Sequence, residues 1–139
     1  MQVTDTVLWT GVLDPDLRVF DVVIPTEYGT TYNSYLIKAK KPTLIDTVKG
    51  NFTEEFLEKL TAAIDLADLQ YLVVNHTEPD HSGAVSELLQ RAPHLKVYGS
   101  PAALRFLRAQ VGRDFDSVAV KHNDTLDLGA RKWRFCVVR

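Results

Sequence analysis

The sequence predicts an α/β domain built on a mixed sheet, and three observations carry that prediction. The first third of the chain reads as short strands, the middle alternates apolar strands with helical stripes, and the last part returns to strands. The 139 residues are 45% hydrophobic and 24% charged, which suits one globular domain and excludes a disordered or collagen-like chain.

Val7-Leu8-Trp9 is a short strand, and Leu17 to Ile24 is rich in β-branched and aromatic residues. Tyr32 to Ala39 follows, then Thr43-Leu44-Ile45, a buried-type run ending at Asp46. Lys40-Lys41-Pro42 turns between the last two and predicts an antiparallel hairpin. Phe52, Phe56, Leu60 and Ile64 then recur every four residues, a helical stripe for which Asn51 and Glu54 form an N-cap and capping-box pair. Tyr71 to Val74 is a continuous apolar strand of the kind buried on both faces. Gly83 to Arg91 is helical and stops before Pro93, and Leu95 to Tyr98 is a strand. Ser100-Pro101 opens another helix, with Ser as N-cap, Pro at the first helical position, and Leu104, Leu107 and Val111 as its apolar side. Ser117 to Val120, Asp124 to Leu128 and Trp133 to Val138 are the closing strands, with a turn at Gly129. Cys136, within the last of these, is expected to be a small buried apolar residue.

Charge and composition narrow the function. Residues 1–90 carry 6 basic and 14 acidic side chains, and residues 91–139 carry 10 basic and 4 acidic. Two attracting faces of one domain account for this, with a docking surface on the basic half as the sharper reading. The basic residues Arg105, Arg108, Arg113 and Lys121 lack interleaved aromatic side chains, which speaks against nucleic acid. No apolar run is long enough to span a membrane, and the first residues show no secretory pattern. A single cysteine excludes an internal disulfide and a cysteine-based zinc cluster, so the cytoplasm is the expected location.

One segment carries chemistry: Val74-Asn75-His76-Thr77-Glu78-Pro79-Asp80-His81-Ser82-Gly83-Ala84. It lies between a buried strand and a helix, where α/β folds place ligands. His76 and Glu78 are two apart and point the same way in an extended segment, which Pro79 favours at Glu78. Asp80 and His81 are adjacent on a tight turn and can face different sides, so the segment can serve two metals. Two imidazoles and two carboxylates without a thiolate suit iron or manganese better than structural zinc. Four ligand-type residues within six, with Pro and Gly fixing the backbone, are much less a matter of chance than a solvated His or acid alone in a loop.

His-x-His-x-Asp-His is the signature of the metallo-β-lactamase superfamily. The form with Glu in the second position, Asn75-His76-Thr77-Glu78-Pro79-Asp80-His81-Ser82-Gly83, resembles the flavodiiron proteins, also called rubredoxin:oxygen oxidoreductases. Gly29 to Ile37, Leu44 to Val48 and Asp124 to Gly129 agree with the same family. The resemblance implies an αββα sandwich with a non-haem diiron centre that reduces dioxygen to water or nitric oxide to nitrous oxide. It implies His76 and Glu78 on one iron, Asp80 and His81 on the other, and electrons from a redox partner arriving through FMN in a following flavodoxin-like domain. The family's further ligands, a His, a bridging Asp and a final His, fall downstream. Residues 1–139 thus resemble only the N-terminal half of the sandwich, with an incomplete metal site and no flavodoxin-like domain.

Two other functions compete with an oxidoreductase fragment. A metal-dependent hydrolase of the superfamily keeps His where this chain has Glu78. A non-catalytic truncated module would self-associate: half a sandwich leaves one sheet face bare, and a second copy, as a symmetric dimer, would cover it. His94 and His122 read as surface histidines. Thr26 to Thr31 has the hydroxyls of a phosphate loop but feeds a strand, so no FMN is placed on this chain. Asp46 is expected to hydrogen-bond near the metal loop without being a ligand.

Overall fold

The computed structural model describes residues 1–20 and 22–136. Its centre is a seven-stranded mixed sheet in which hydrophobic side chains alternate between two cores. In chain order the strands are β1 (Gln2–Thr4), β2 (Val7–Trp9), β3 (Val12–Asp14), β4 (Val19–Phe20), β5 (Ile24–Pro25), β6 (Thr30–Tyr32), β7 (Tyr35–Ile37), β8 (Thr43–Ile45), β9 (Tyr71–Val73), β10 (Lys96–Gly99), β11 (Ser117–Ala119), β12 (Thr125–Asp127) and β13 (Lys132–Arg134). The helices are α1 (Thr53–Ala63), α2 (Pro79–Ser82), α3 (Val85–Arg91) and α4 (Pro101–Val111). The sheet runs β1-β2-β7-β8-β9-β10-β11. Pairing is antiparallel from β1 to β8 and parallel from β8 to β11.

The antiparallel β7–β8 hairpin across Lys40-Lys41-Pro42 is as expected, with Tyr35 opposite Ile45. Along β7 and β9, neighbouring residues take opposite faces, as a pleat of period two requires. Leu36, Leu44 and Leu72 pack with Phe56, Leu60, Leu88 and Leu107 from the helices. Ile37 and Val73 face the other way, onto Leu126 and Leu128 beside the antiparallel β12–β13 pair. That second face is therefore not bare, as half a sandwich was expected to leave it. The β12–β13 segment covers part of it, while Tyr35, Ile45, Tyr71 and Tyr98 remain half-buried.

Several element boundaries differ from the expectation. Leu17 to Ile24 is not one strand but a small hairpin, β4 against β5, with Val22 turning at a φ of 71°. Tyr32 to Ala39 divides into β6 and β7, so that β6 can leave the main sheet and pair with β3. Asn51 does not cap α1. Residues Gly50–Phe52 form a 3₁₀ turn, which moves the helix start to Thr53, and no side chain caps it. The α4 cap is as read: Ser100 Oγ accepts the Ala103 N–H at 3.1 Å, and Gly112 closes the helix at a φ of 70°.

Cys136 is exposed rather than buried. From Lys132 onward the chain alternates, with Trp133 and Phe135 half-buried and Lys132, Arg134 and Cys136 outward. Val137 and Val138, the end of the predicted last strand, lie outside the described residues. No helix among the described residues is long and apolar enough to cross a membrane.

Candidate metal centre

The parallel strands β8 and β9 both end at the same rim of the sheet, and their following loops build the site. From β9 the chain runs Val74-Asn75-His76-Thr77-Glu78 and then enters α2, a single turn that carries Asp80 and His81. Glu78 is extended, with φ −60° and ψ 151°, and Pro79 is the first helical residue. The "tight turn" expected for Asp80 and His81 is thus this helical turn.

From β8 the chain runs Asp46-Thr47-Val48-Lys49-Gly50. Asp46 is buried and has a φ of 54°, a left-handed conformation that short polar side chains tolerate best. Its two carboxylate oxygens accept the Asn75 backbone N–H at 2.7 Å and the Asn75 side-chain amide at 3.2 Å. These hydrogen bonds near the metal loop are as expected. Burial pushes the Asp46 carboxyl above its usual range, and the Asn75 hydrogen bonds and nearby His81 oppose that shift. Thr47 donates from its backbone N–H and from its hydroxyl to the His81 carbonyl, both at 2.8 Å. Ala84 N–H donates to the Val48 carbonyl at 3.1 Å. The two loops are stitched together on either side of the candidate ligand residues.

The four predicted side chains come together on one cavity of about 470 Å³. The His76 and His81 ring centroids are 5.1 Å apart. His76 Nδ1 lies 3.8 Å from Glu78 Oε2, and His81 Nε2 lies 3.5 Å from Asp80 Oδ2. His81 Nδ1 is 3.5 Å from Asp46 Oδ2, is buried, and makes no hydrogen bond. The donors stand in two pairs, and among the described residues no three His, Cys, Asp or Glu side chains form a group that could hold one metal ion. In kind the set fits a hard or borderline cation: nitrogen and oxygen donors on one cavity, with a buried imidazole nitrogen left without a partner. In number it is incomplete for either position.

Sequence reasoning missed the rest of the wall. Tyr32, Lys49, Leu17, Val19 and Phe20 line the same cavity. The Lys49 ammonium sits 5.8 Å from the centre of the Tyr32 ring. The Tyr32 hydroxyl donates to Asp14 Oδ2 at 2.9 Å, and burial together with Asp14 pushes its phenol up to about 12. Lys49 could have been found, since it follows a second strand whose carboxyl end meets the same rim. Tyr32 lies in the Gly29 to Ile37 stretch that resembles the family, whereas Leu17, Val19 and Phe20 carry no motif. His76 and His81 also border a second cavity of about 640 Å³, on the sheet face of β12–β13, which Asn75, Ser100 and Cys136 share. His94 and His122 are exposed, and His94 Nε2 lies 2.9 Å from the Leu69 carbonyl. Thr30 and Thr31 lie in strand β6, so the Thr26 to Thr31 stretch opens no helix.

A family model described as "ODP family beta lactamase" matches residues 30–136. Among curated proteins, the chain is 47% identical over 133 residues to the flavo-diiron protein FprA2 of Clostridium acetobutylicum, covering 95% of this chain and 33% of that one. It is 44% identical over 131 residues to the type A flavoprotein fprA of Rhodobacter capsulatus, covering 91% and 30%. Among solved structures, the flavodiiron protein from Giardia intestinalis superposes with a TM-score of 0.88 at 29% identity, over 94% of this chain and 32% of that one. Rubredoxin oxygen:oxidoreductase from Desulfovibrio gigas also gives 0.88, at 34% identity, over 95% and 33%. The chain spans about a third of the length of the relatives it matches, and the match lies in their metallo-β-lactamase-like part.

Proposed function

The chain belongs to the ODP family of beta-lactamase-like domains, and from that premise we propose that it is the N-terminal portion of a flavodiiron-type oxidoreductase, acting on dioxygen or nitric oxide. The observation that carries the reading is the convergence of His76, Glu78, Asp80 and His81 on one cavity. His76 and Glu78 would hold one iron, and Asp80 and His81 the other. When bound, iron there would supply the electrons for reducing a diatomic gas.

The chain's own residues shape that site. Leu17, Val19 and Phe20 give the cavity an apolar wall that suits a small nonpolar gas. Tyr32 keeps its proton at neutral pH and spends it on Asp14. Lys49 places a cation among the carboxylates of the cavity. Electrons would come from a redox partner by way of FMN carried outside residues 1–139. A single exposed thiol and oxygen-sensitive ferrous iron both suit the cytoplasm.

Anaerobic titration with ferrous iron tests the reading. Each position has two of its donors within residues 1–139, so weak ferrous binding is expected, lost when His76 and His81 are both replaced by Ala. No ferrous binding by the folded chain, or binding unchanged in that variant, would sink it.

A second reading, a non-catalytic module that self-associates, is favoured by the pairing of donors and by the half-buried aromatic strip on the second sheet face. A symmetric dimer is its commonest form. Sedimentation at micromolar concentration is then expected to show a dimer, and a stable monomer would count against it. The hydrolase reading draws no support from the relatives.

A further inference from the structure

We infer that Gln110, on the last turn of α4, is a positioning residue for the ligand segment that ends at His81. This rests on the metal reading above and deepens it. Gln110 is 28 residues beyond Ser82, yet its side chain closes a two-point clasp on it. Gln110 Nε2 donates to the Ser82 carbonyl at 2.9 Å, and the Ser82 hydroxyl lies 3.1 Å from Gln110 Oε1. Ser82 is 1% exposed. Its hydroxyl also reaches the Thr77 carbonyl at 3.0 Å and the Glu78 carbonyl at 3.1 Å, so three acceptors compete for one proton. The firm anchor is therefore the amide N–H of Gln110 on the Ser82 carbonyl.

The consequence follows from what holds the neighbouring peptide. Thr47 fixes the His81 carbonyl with two hydrogen bonds from the β8 side. Gln110 fixes the next carbonyl from the α4 side. Two consecutive carbonyls held from different elements set the peptide planes, and so the direction in which α2 projects Asp80 and His81. α2 is a single turn of four residues and cannot hold that direction by its own hydrogen bonds. Groups that orient metal ligands typically change metal affinity by about 10–100-fold when removed.

The test uses Gln110→Ala, Gln110→Glu and, as a control, Gln90→Ala at an exposed position of α3. Glu keeps an oxygen near the Ser82 hydroxyl but turns a carboxylate, not an N–H, toward the Ser82 carbonyl. Two readouts are taken: ferrous iron affinity by anaerobic titration, and amide hydrogen exchange of the metal-free protein. Both Gln110 variants are expected to bind iron about tenfold more weakly. Exchange at residues 77–82 is expected to rise roughly fivefold, the factor one net hydrogen bond is worth. β9 and Gln90→Ala are expected to be unchanged. Equal iron affinity in wild type and both variants would overturn the inference while leaving the metal reading intact. Failure of the wild type itself to bind iron would overturn the reading, and the inference with it.

Discussion

His81→Ala is expected to weaken iron binding by at least about 100-fold while leaving the metal-free fold within about 1 kcal/mol of wild type. The asymmetry comes from the bonding of the ring. His81 Nδ1 is buried and makes no hydrogen bond, and the ring stands between the Asp46 and Asp80 carboxylates at 3.5 Å from each. Truncation therefore breaks no hydrogen bond of the apo protein but removes a nitrogen from the donor set. His94→Ala is the matched control. That ring is exposed and lies against the Leu69 carbonyl, far along the fold from the cavity wall, and its loss should leave affinity unchanged. Ferrous titration under anaerobic conditions, beside urea denaturation of the metal-free proteins, reads both effects. Wild-type affinity in His81→Ala would remove this residue from the site.

Gly83→Ala should destabilise the fold by roughly 1–3 kcal/mol, the usual cost of forcing a methyl group into filled space. Gly83 has φ −60° and ψ −30°, a conformation that alanine prefers, so backbone preference alone would make the change favourable. The obstacle is the neighbouring loop. A Cβ at this position would overlap the Gly50 backbone nitrogen and stand 2.7 Å from the Pro79 carbonyl oxygen and 2.9 Å from the Lys49 carbonyl carbon. These are backbone atoms of the two stitched loops, and neither can give way without moving the ligand residues. At Gly50 the nearest atom to an added Cβ is the Gly83 oxygen at 3.6 Å, an ordinary contact. Gly50→Ala should thus be nearly silent. A denaturation midpoint for Gly83→Ala no lower than that of Gly50→Ala would refute the packing argument.

The sequence revealed the middle of the fold better than its first third. The continuous apolar run Tyr71 to Val74 is too short for a helix and so reads as a buried strand, and Ser100-Pro101 specifies a helix start through chemistry confined to four residues. The stretch from Leu17 to Ile24 was misread because β-branched residues mark a fit to a pleated surface and say nothing of where the chain reverses. The reversal falls on Val22, a residue type that rarely takes a positive φ. The Asn51 cap failed for a different reason. The 3₁₀ turn at Gly50–Phe52 follows the loop whose neighbour Gly83 lies against Gly50, and local capping preference is too weak to compete with that packing. Cys136 is exposed against expectation, because Trp133 and Phe135 take the half-buried positions of the alternation.

The site shows the same division. The four candidate donors lie within six residues, so spacing alone singles them out. The cavity they share could not, because its other walls come from β4, β6 and the loop after β8, which only the tertiary fold gathers. Gln110 carries no motif, and only the tertiary fold brings the last turn of α4 within hydrogen-bond reach of Ser82.

The rims of the main sheet, β1 and β11, are each three residues long. A foreign strand laid along either one would find few free main-chain groups to zip onto, so fibril-like growth by edge addition is disfavoured.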